Sequence, residues 1–125
     1  MVTLGIDPGL ALVGYGVISS DKNKITLLEY GVITTAADTP FPRRLSIIHE
    51  NMKDLIEKFS PDCIAFEELF AGKNVKTVIQ VAQARGAAMA AAFGTGAELY
   101  EYTPMQIKQA VVRSEERRVG KECRS

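Results

Sequence analysis

Two short apolar runs in this chain each end on a carboxylate, and that repetition limits the folds available to it. Val2-Thr3-Leu4-Gly5-Ile6-Asp7 runs straight into Pro8-Gly9, and Cys63-Ile64-Ala65-Phe66-Glu67 runs into Glu68-Leu69-Phe70. Short apolar runs with turn-formers beside them read as buried strands. A carboxylate at the end of such a strand is costly to hold there unless a metal, a proton or an opposite charge compensates it. Side-chain alternation places Asp7 on the same face as Thr3 and Gly5, opposite Val2, Leu4 and Ile6; it places Glu67 with Cys63 and Ala65, opposite Ile64 and Phe66. Both acids therefore share a face with small residues, which leaves room beside them for an ion or a ligand. If the two strands are neighbours, Asp7 and Glu67 form half of a metal-dependent site.

The intervening sequence supplies the frame. Val13 to Ser19, broken by Gly14 and Gly16, and Ile25 to Ile33 read as second and third strands, with Asp21-Lys22-Asn23 as the turn between them. Connections this short favour antiparallel neighbours. The period then changes. Leu45, Ile48, Met52, Leu55, Ile56 and Phe59 recur at helical spacing, which predicts an amphipathic helix over 42–59, stopped by Ser60-Pro61-Asp62. A second helix is expected over 75–93, with Asn74 as N-cap and Gly94 and Gly96 beyond its end. Seven alanines and Gly86 lie between residues 82 and 92, a surface small enough for a sheet or a second copy of the same helix to approach closely. A strand at 97–101 leads to Thr103-Pro104-Met105-Gln106, a capping box that opens a third helix. The order β-β-β-α-β-α-β-α predicts an α/β fold, a mixed sheet with helices on both faces.

Bulk properties exclude several classes. At 125 residues the chain suits one domain, and 46% apolar with 24% charged residues is globular composition. No apolar stretch approaches the roughly 18–20 residues that span a bilayer, and Met1-Val2-Thr3-Leu4 lacks the basic segment of a secretory signal. Cys63 and Cys123 form neither a disulfide framework nor a metal-spaced pair, so a reduced, cytoplasmic protein is expected. Net charge is zero, with +2 on residues 113–125 and −2 on residues 1–112. Contact with a polyanion must therefore come from local clusters rather than from overall charge.

Asp-Pro-Gly alone is a turn signal, and Glu67-Glu68 alone reads equally well as a solvated strand exit. The two together point to paired oxygen ligands, which suit a hard cation such as Mg²⁺; a two-ion site would activate water and hold both oxygens of a phosphoryl transfer.

Gly5-Ile6-Asp7-Pro8-Gly9, Gly14-Tyr15-Gly16-Val17-Ile18, Ala65-Phe66-Glu67-Glu68-Leu69-Phe70, Lys73-Asn74, Gln83-Ala84-Arg85-Gly86 and Glu101-Tyr102-Thr103-Pro104 occur in that order, followed by Gln106-Ile107-Lys108-Gln109-Ala110-Val111-Val112. Over residues 2–112 this series resembles the RuvC family of Holliday-junction resolvases, of the ribonuclease H-like superfold. The resemblance implies a five-stranded mixed sheet and a nuclease of DNA recombination and repair. That nuclease cuts opposed strands of a four-way junction with Mg²⁺ or Mn²⁺ held by four carboxylates, and Asp7 and Glu67 match two of them. Phe70 matches an aromatic that stacks on bases near the crossover, where each stacked base is worth roughly 1–3 kcal/mol; its alternative is a core aromatic. Lys108 matches a lysine near the scissile phosphate; its alternative is a solvated surface group. Lys73, Asn74, Lys76 and Arg85 are candidate contacts to the phosphate backbone. His49 falls on the polar side of the first helix and is taken as solvated. The resemblance also implies a homodimer, which suits the near two-fold symmetry of a junction, and a partner branch-migration helicase complex. The alanine-rich helix is the candidate dimer surface, and packing against its own sheet is the alternative.

After Val112 the pattern breaks. Residues 113–125 carry no apolar period and no Asp, and they read as a non-native tail on an incomplete domain, 1–112, whose C-terminal part is missing. Two carboxylates hold one Mg²⁺ weakly, so the expectation is that this polypeptide is inactive or nearly so. Other readings stay open at this point: a ribosomal-RNA-processing nuclease of the same superfold, a nucleotide-binding ATPase of that superfold, or a junction-binding module without catalysis.

Overall fold

The first three apolar runs form one antiparallel meander. In a computed structural model, which describes residues 1–68 and 74–102, they are β1 (Val2–Asp7), β2 (Leu12–Asp21) and β3 (Lys24–Thr34). The tight turn at Asp21-Lys22-Asn23-Lys24 joins β2 to β3, with Lys22 at φ 49°. Helix α1 (Phe41–Phe59) follows, then β4 (Cys63–Glu67), α2 (Val75–Ala92) and β5 (Glu98–Tyr102). The five strands make one sheet in the order β3-β2-β1-β4-β5. β2 runs antiparallel to β1 and β3, while β4 runs parallel to β1 and to β5. This is the expected mixed five-stranded sheet, and the two acid-ended strands are direct neighbours.

Alternation along the strands separates the two faces. Leu4, Ile6, Val13, Val17, Ile33, Ile64 and Phe66 point one way and are buried, joined from α1 by Ile48, Met52, Leu55 and Ile56 and from α2 by Ala84, Ala88, Ala91 and Ala92. Complete burial of a side chain the size of Phe66 or Ile64 contributes about 1.5–3 kcal/mol. Both described helices thus cover the same face of the sheet. The expected third helix lies outside the described residues, as does its capping box.

The helix ends follow their local chemistry. Pro42 sits in the first turn of α1, where its missing N–H costs nothing, and Ser60 closes the helix in the left-handed region, its N–H donating to Ile56 O at 2.8 Å. At α2 the expected cap is realised: Asn74 Oδ1 accepts from the Thr77 N–H at 3.3 Å. The alanines of α2 divide between the two roles open to them. Ala84, Ala88, Ala91 and Ala92 are buried against the sheet and α1, while Ala82, Gly86 and Ala90 are exposed. His49 is half-buried on α1 rather than fully solvated.

Candidate active site

The face of the sheet away from α1 and α2 carries almost no side-chain volume at its centre. Thr3 and Gly5 on β1, Gly14 and Gly16 on β2, and Cys63 and Ala65 on β4 pave it, in the registers Gly5↔Gly16 and Gly5↔Ala65, with Ile18 of β2 standing beside Thr3 at the end away from the acids. A Cβ added at Gly16 would meet nothing within 4 Å, and one at Gly5 only the Gly16 carbonyl at 3.8 Å. Taller residues stand on both sides. Val32, Tyr30, Leu27 and Ile25 of β3 are exposed on one flank, and Tyr100 and Tyr102 of β5 on the other. Asp7 and Glu67 close one end of this trough, around a recess of about 330 Å³ that Tyr102 also lines.

The two acids are close enough to interact directly. Burial first, then hydrogen bonding with and repulsion from the Asp7 carboxylate, hold the Glu67 carboxyl above its ordinary value. A carboxylate pair without a compensating cation favours keeping a proton, and that is the environment in which a divalent cation gains most. Two carboxylates over a floor without bulky side chains fit a hard, oxygen-preferring ion. Among the described residues no third Asp, Glu, His or Cys joins them in a cluster able to hold a metal.

The turn that follows Asp7 is held from the helix side of the sheet. The chain turns immediately after it at Pro8-Gly9, and a Cβ at Gly9 would come within 2.2 Å of the Leu12 carbonyl, so the turn requires glycine. The next residues are fixed by a buried relay: Arg44 Nε donates to Thr35 Oγ1 at 3.0 Å, Arg44 Nη2 donates to Thr35 O at 3.3 Å, and Thr35 Oγ1 donates to Leu10 O at 2.6 Å. Thr35 N–H also bonds Ala11 O at 3.1 Å. Arg44 is 8% exposed. Sequence reasoning missed it, although a signal was present: Arg44 sits at helical spacing with Ile48 and Met52, a cation on an apolar stripe.

Tyr15 and Glu29 form a second polar group, on the α1 side. Tyr15 OH donates to Glu29 Oε2 at 3.1 Å, and Lys58 Nζ lies 2.9 Å from Glu29 Oε1. The Lys58 ammonium first, with help from the Tyr15 hydroxyl, holds the Glu29 carboxyl below its ordinary value; burial and Glu29 push the Tyr15 hydroxyl up. Gly31 makes this seat possible, because a Cβ there would stand 2.7 Å from the Tyr15 hydroxyl.

The other sequence-predicted site residues divide into two groups. Phe70, Lys73 and Lys108 lie outside the described residues. Asn74 and Arg85 are described, and both have partners within the protein. The Asn74 side chain caps α2. Arg85 donates from Nε to the Glu67 carbonyl at 3.3 Å and pairs through Nη2 with Glu101 Oε2 at 3.0 Å. Lys76 is exposed in the first turn of α2. Tyr102 and Glu101 were not anticipated as neighbours of the site, because only the parallel register of β5 on β4 brings them there.

Comparison with known proteins places this geometry in context. The family profile described as "Crossover junction endodeoxyribonuclease RuvC" matches residues 3–119. A curated protein of that description from Finegoldia magna is 55% identical over 112 residues, covering 90% of this chain and 68% of the relative. One from Ruminiclostridium cellulolyticum is 47% identical with the same coverage. The solved structure of T. thermophilus RuvC in complex with Holliday junction substrate superposes with a TM-score of 0.81 at 36% identity, over 88% of this chain and 69% of that one. The yeast mitochondrial Holliday junction resolvase, at 18% identity and a TM-score of 0.66, shares the fold.

Proposed function

The chain belongs to the crossover junction endodeoxyribonuclease RuvC family, and from that premise we propose that Asp7 and Glu67 are catalytic carboxylates that bind a divalent ion and act on four-way junction DNA. The observation that carries this reading is the convergence of the two acids at one end of a trough free of side-chain bulk. Mg²⁺ is the ion proposed, with Mn²⁺ able to replace it, because an all-oxygen donor pair of this kind suits both. When bound, the ion supplies charge stabilisation for phosphodiester hydrolysis. Asp7 and Glu67 provide its ligands, and the paved floor lets a sugar-phosphate backbone come close to them.

Phe70, Lys73 and Lys108 are the proposed contacts to bases and phosphates. Asn74 and Arg85, also expected at the DNA, have their polar atoms engaged elsewhere, which favours structural roles for both. The molecule is proposed to act as a homodimer in the cytoplasm. The stripe Val75, Ile79, Ala82, Gly86, Ala90 and Phe93, exposed along one side of α2, supports a helix-to-helix contact, with Phe93 at 83% exposure.

Residues 1–112 are read as the RuvC-like domain and 113–125 as a non-native tail; the curated relatives align over 112 residues, whereas the family profile extends to 119. With two carboxylates converging among the described residues, this polypeptide is proposed to bind junctions and to cleave them weakly or not at all. No described helix is long and apolar enough to cross a membrane.

The test is incubation of the purified chain with a synthetic four-way junction, in EDTA and in Mg²⁺. Structure-selective binding in EDTA without nicks in Mg²⁺ supports the proposal. Paired, metal-dependent nicks that Asp7→Asn abolishes would overturn the inactivity while keeping the assignment of the site. Absence of any preference for a junction over a linear duplex would remove the junction reading itself.

A further inference from the structure

The ladder between β1 and β4 stops one rung short of the acids. Its last pair is Ile6↔Phe66, and beyond it each acid is registered outward: Asp7 against Gly14 on β2, and Glu67 against Tyr102 on β5. The distance between the carboxylates is therefore set by what fixes each strand end to its outer neighbour, against the mutual repulsion of two like charges. On the β4 side the available anchors are few. The Glu68 N–H donates to Tyr102 O at 2.6 Å, and the Glu67 carbonyl accepts from Arg85 Nε at 3.3 Å.

Arg85 reaches this point from behind. Register pairs Phe66 with Glu101, so alternation puts Glu101 on the helix side of the sheet, opposite the side chain of Glu67. From α2, Arg85 binds the Glu67 carbonyl with Nε and the Glu101 carboxylate with Nη2, tying helix, β4 and β5 together at one place. Its side chain is 17% exposed, and that of Glu101 is 47% exposed. A guanidinium is suited to this because its donors are fixed in one plane and bind two acceptors at once; an ammonium at the same position does not reach both. The grip is on backbone and on a neighbouring strand, so Arg85 touches neither reacting atoms nor a ligand in the trough.

We infer that Arg85 is a positioning residue of the carboxylate pair, fixing the end of β4, and with it Glu67, against β5 through the Glu67 carbonyl and Glu101. The inference rests on the reading of Asp7 and Glu67 as a metal-binding pair, and its test is arranged so that the two can fail separately.

The first measurement is amide hydrogen exchange of the metal-free chain. In Arg85→Gln the Glu68 amide is expected to exchange roughly tenfold faster, while the amides of Leu4 and Ile64 keep their protection, since a lost charged hydrogen bond opens the strand end and not the core. The second is Mn²⁺ affinity from water-proton relaxation, alongside the thermal midpoint. Arg85→Lys, which keeps the charge opposite Glu101 but not the planar fork that spans both acceptors, is expected to weaken Mn²⁺ roughly fivefold to tenfold with little change in midpoint. Glu101→Gln gives the same direction with a smaller change, and it serves where Arg85→Gln does not fold.

Unchanged exchange at Glu68 in Arg85→Gln, or in Glu101→Gln, would overturn the inference. So would a fall in junction affinity in EDTA with Mn²⁺ binding intact, because Arg85 would then be a phosphate contact. If the parent binds no Mn²⁺ in an Asp7-dependent way, the metal reading fails, and the exchange measurement still decides the role of Arg85.

Discussion

The two faces of this sheet are made from the same five strands and have opposite requirements. On the helix side, Leu4, Ile6, Ile64 and Phe66 alternate with Thr3, Gly5, Cys63 and Ala65 on the trough side. Residue by residue, stability and chemistry are interleaved along β1 and β4, and only the period of two separates them. A side chain on one face is held by close packing; on the other, usefulness depends on side-chain volume being absent. Changes at adjacent positions should therefore have effects of different kinds, and that is how the contrast can be tested.

The largest effect is expected at Phe66. Phe66→Ala removes a fully buried ring from the centre of the core and should cost about 3–5 kcal/mol in urea unfolding. Its neighbour in sequence behaves otherwise if the faces are independent. Glu67→Gln should leave the core intact and alter the pH profile instead. The Glu67 carboxyl is held above its ordinary value in the fold, so the folded chain binds its proton more tightly than the unfolded chain. In the absence of metal, stability then falls as pH rises from the unfolded carboxyl range, about 4.3 for Glu, through the raised folded value. Glu67→Gln should flatten that fall, as read from unfolding midpoints between pH 4 and pH 8 on the order-of-magnitude scale of carboxyl titration. A fall of equal size in the variant would place its cause elsewhere.

Next comes Asp7→Asn. Unfolding free energy should move by less than about 1 kcal/mol, whereas Mn²⁺ affinity should drop by about one to two orders of magnitude, since one of two charged oxygen ligands becomes neutral. A comparable loss of fold stability would show that the acid end of β1 is structural. The smallest effect is expected at Gly16, where a new Cβ has open space: Gly16→Ala should stay within about 0.5 kcal/mol of the parent. Gly9→Ala is the sharper companion, because there the Leu12 carbonyl blocks the Cβ; a loss of about 1–3 kcal/mol in the same assay is expected.

Most of this arrangement is legible in the sequence where it depends on local periodicity. Alternation in 2–7 and 63–67 gives both strands and the shared face of Asp7 and Glu67. The stripe from Leu45 to Phe59 gives α1, and Asn74 gives the start of α2. Contacts that depend on which strands become neighbours are not readable locally. Arg85 reads as a candidate phosphate contact on an alanine-rich helix until β5 is laid beside β4 and Glu101 comes within its reach. Arg44 likewise gains its meaning only when Thr35, just past β3, is brought against Leu10 in the β1–β2 connection. The sequence motifs thus name the chemistry at Asp7 and Glu67, whereas the residues that hold those two in place emerge only from the topology.

The row of exposed residues on β3 has a consequence for handling the protein. Ile25, Leu27, Tyr30 and Val32 lie side by side on a strand whose outer edge has no partner among the described residues. An edge of that kind offers unpaired backbone groups next to an apolar surface, a template for another chain to add to. The formal net charge at pH 7 is zero and the isoelectric point is about 6.6, so long-range repulsion between molecules is weakest near neutrality. Solubility should therefore pass through a minimum close to that pH. Buffers well to either side of neutrality are the better storage conditions.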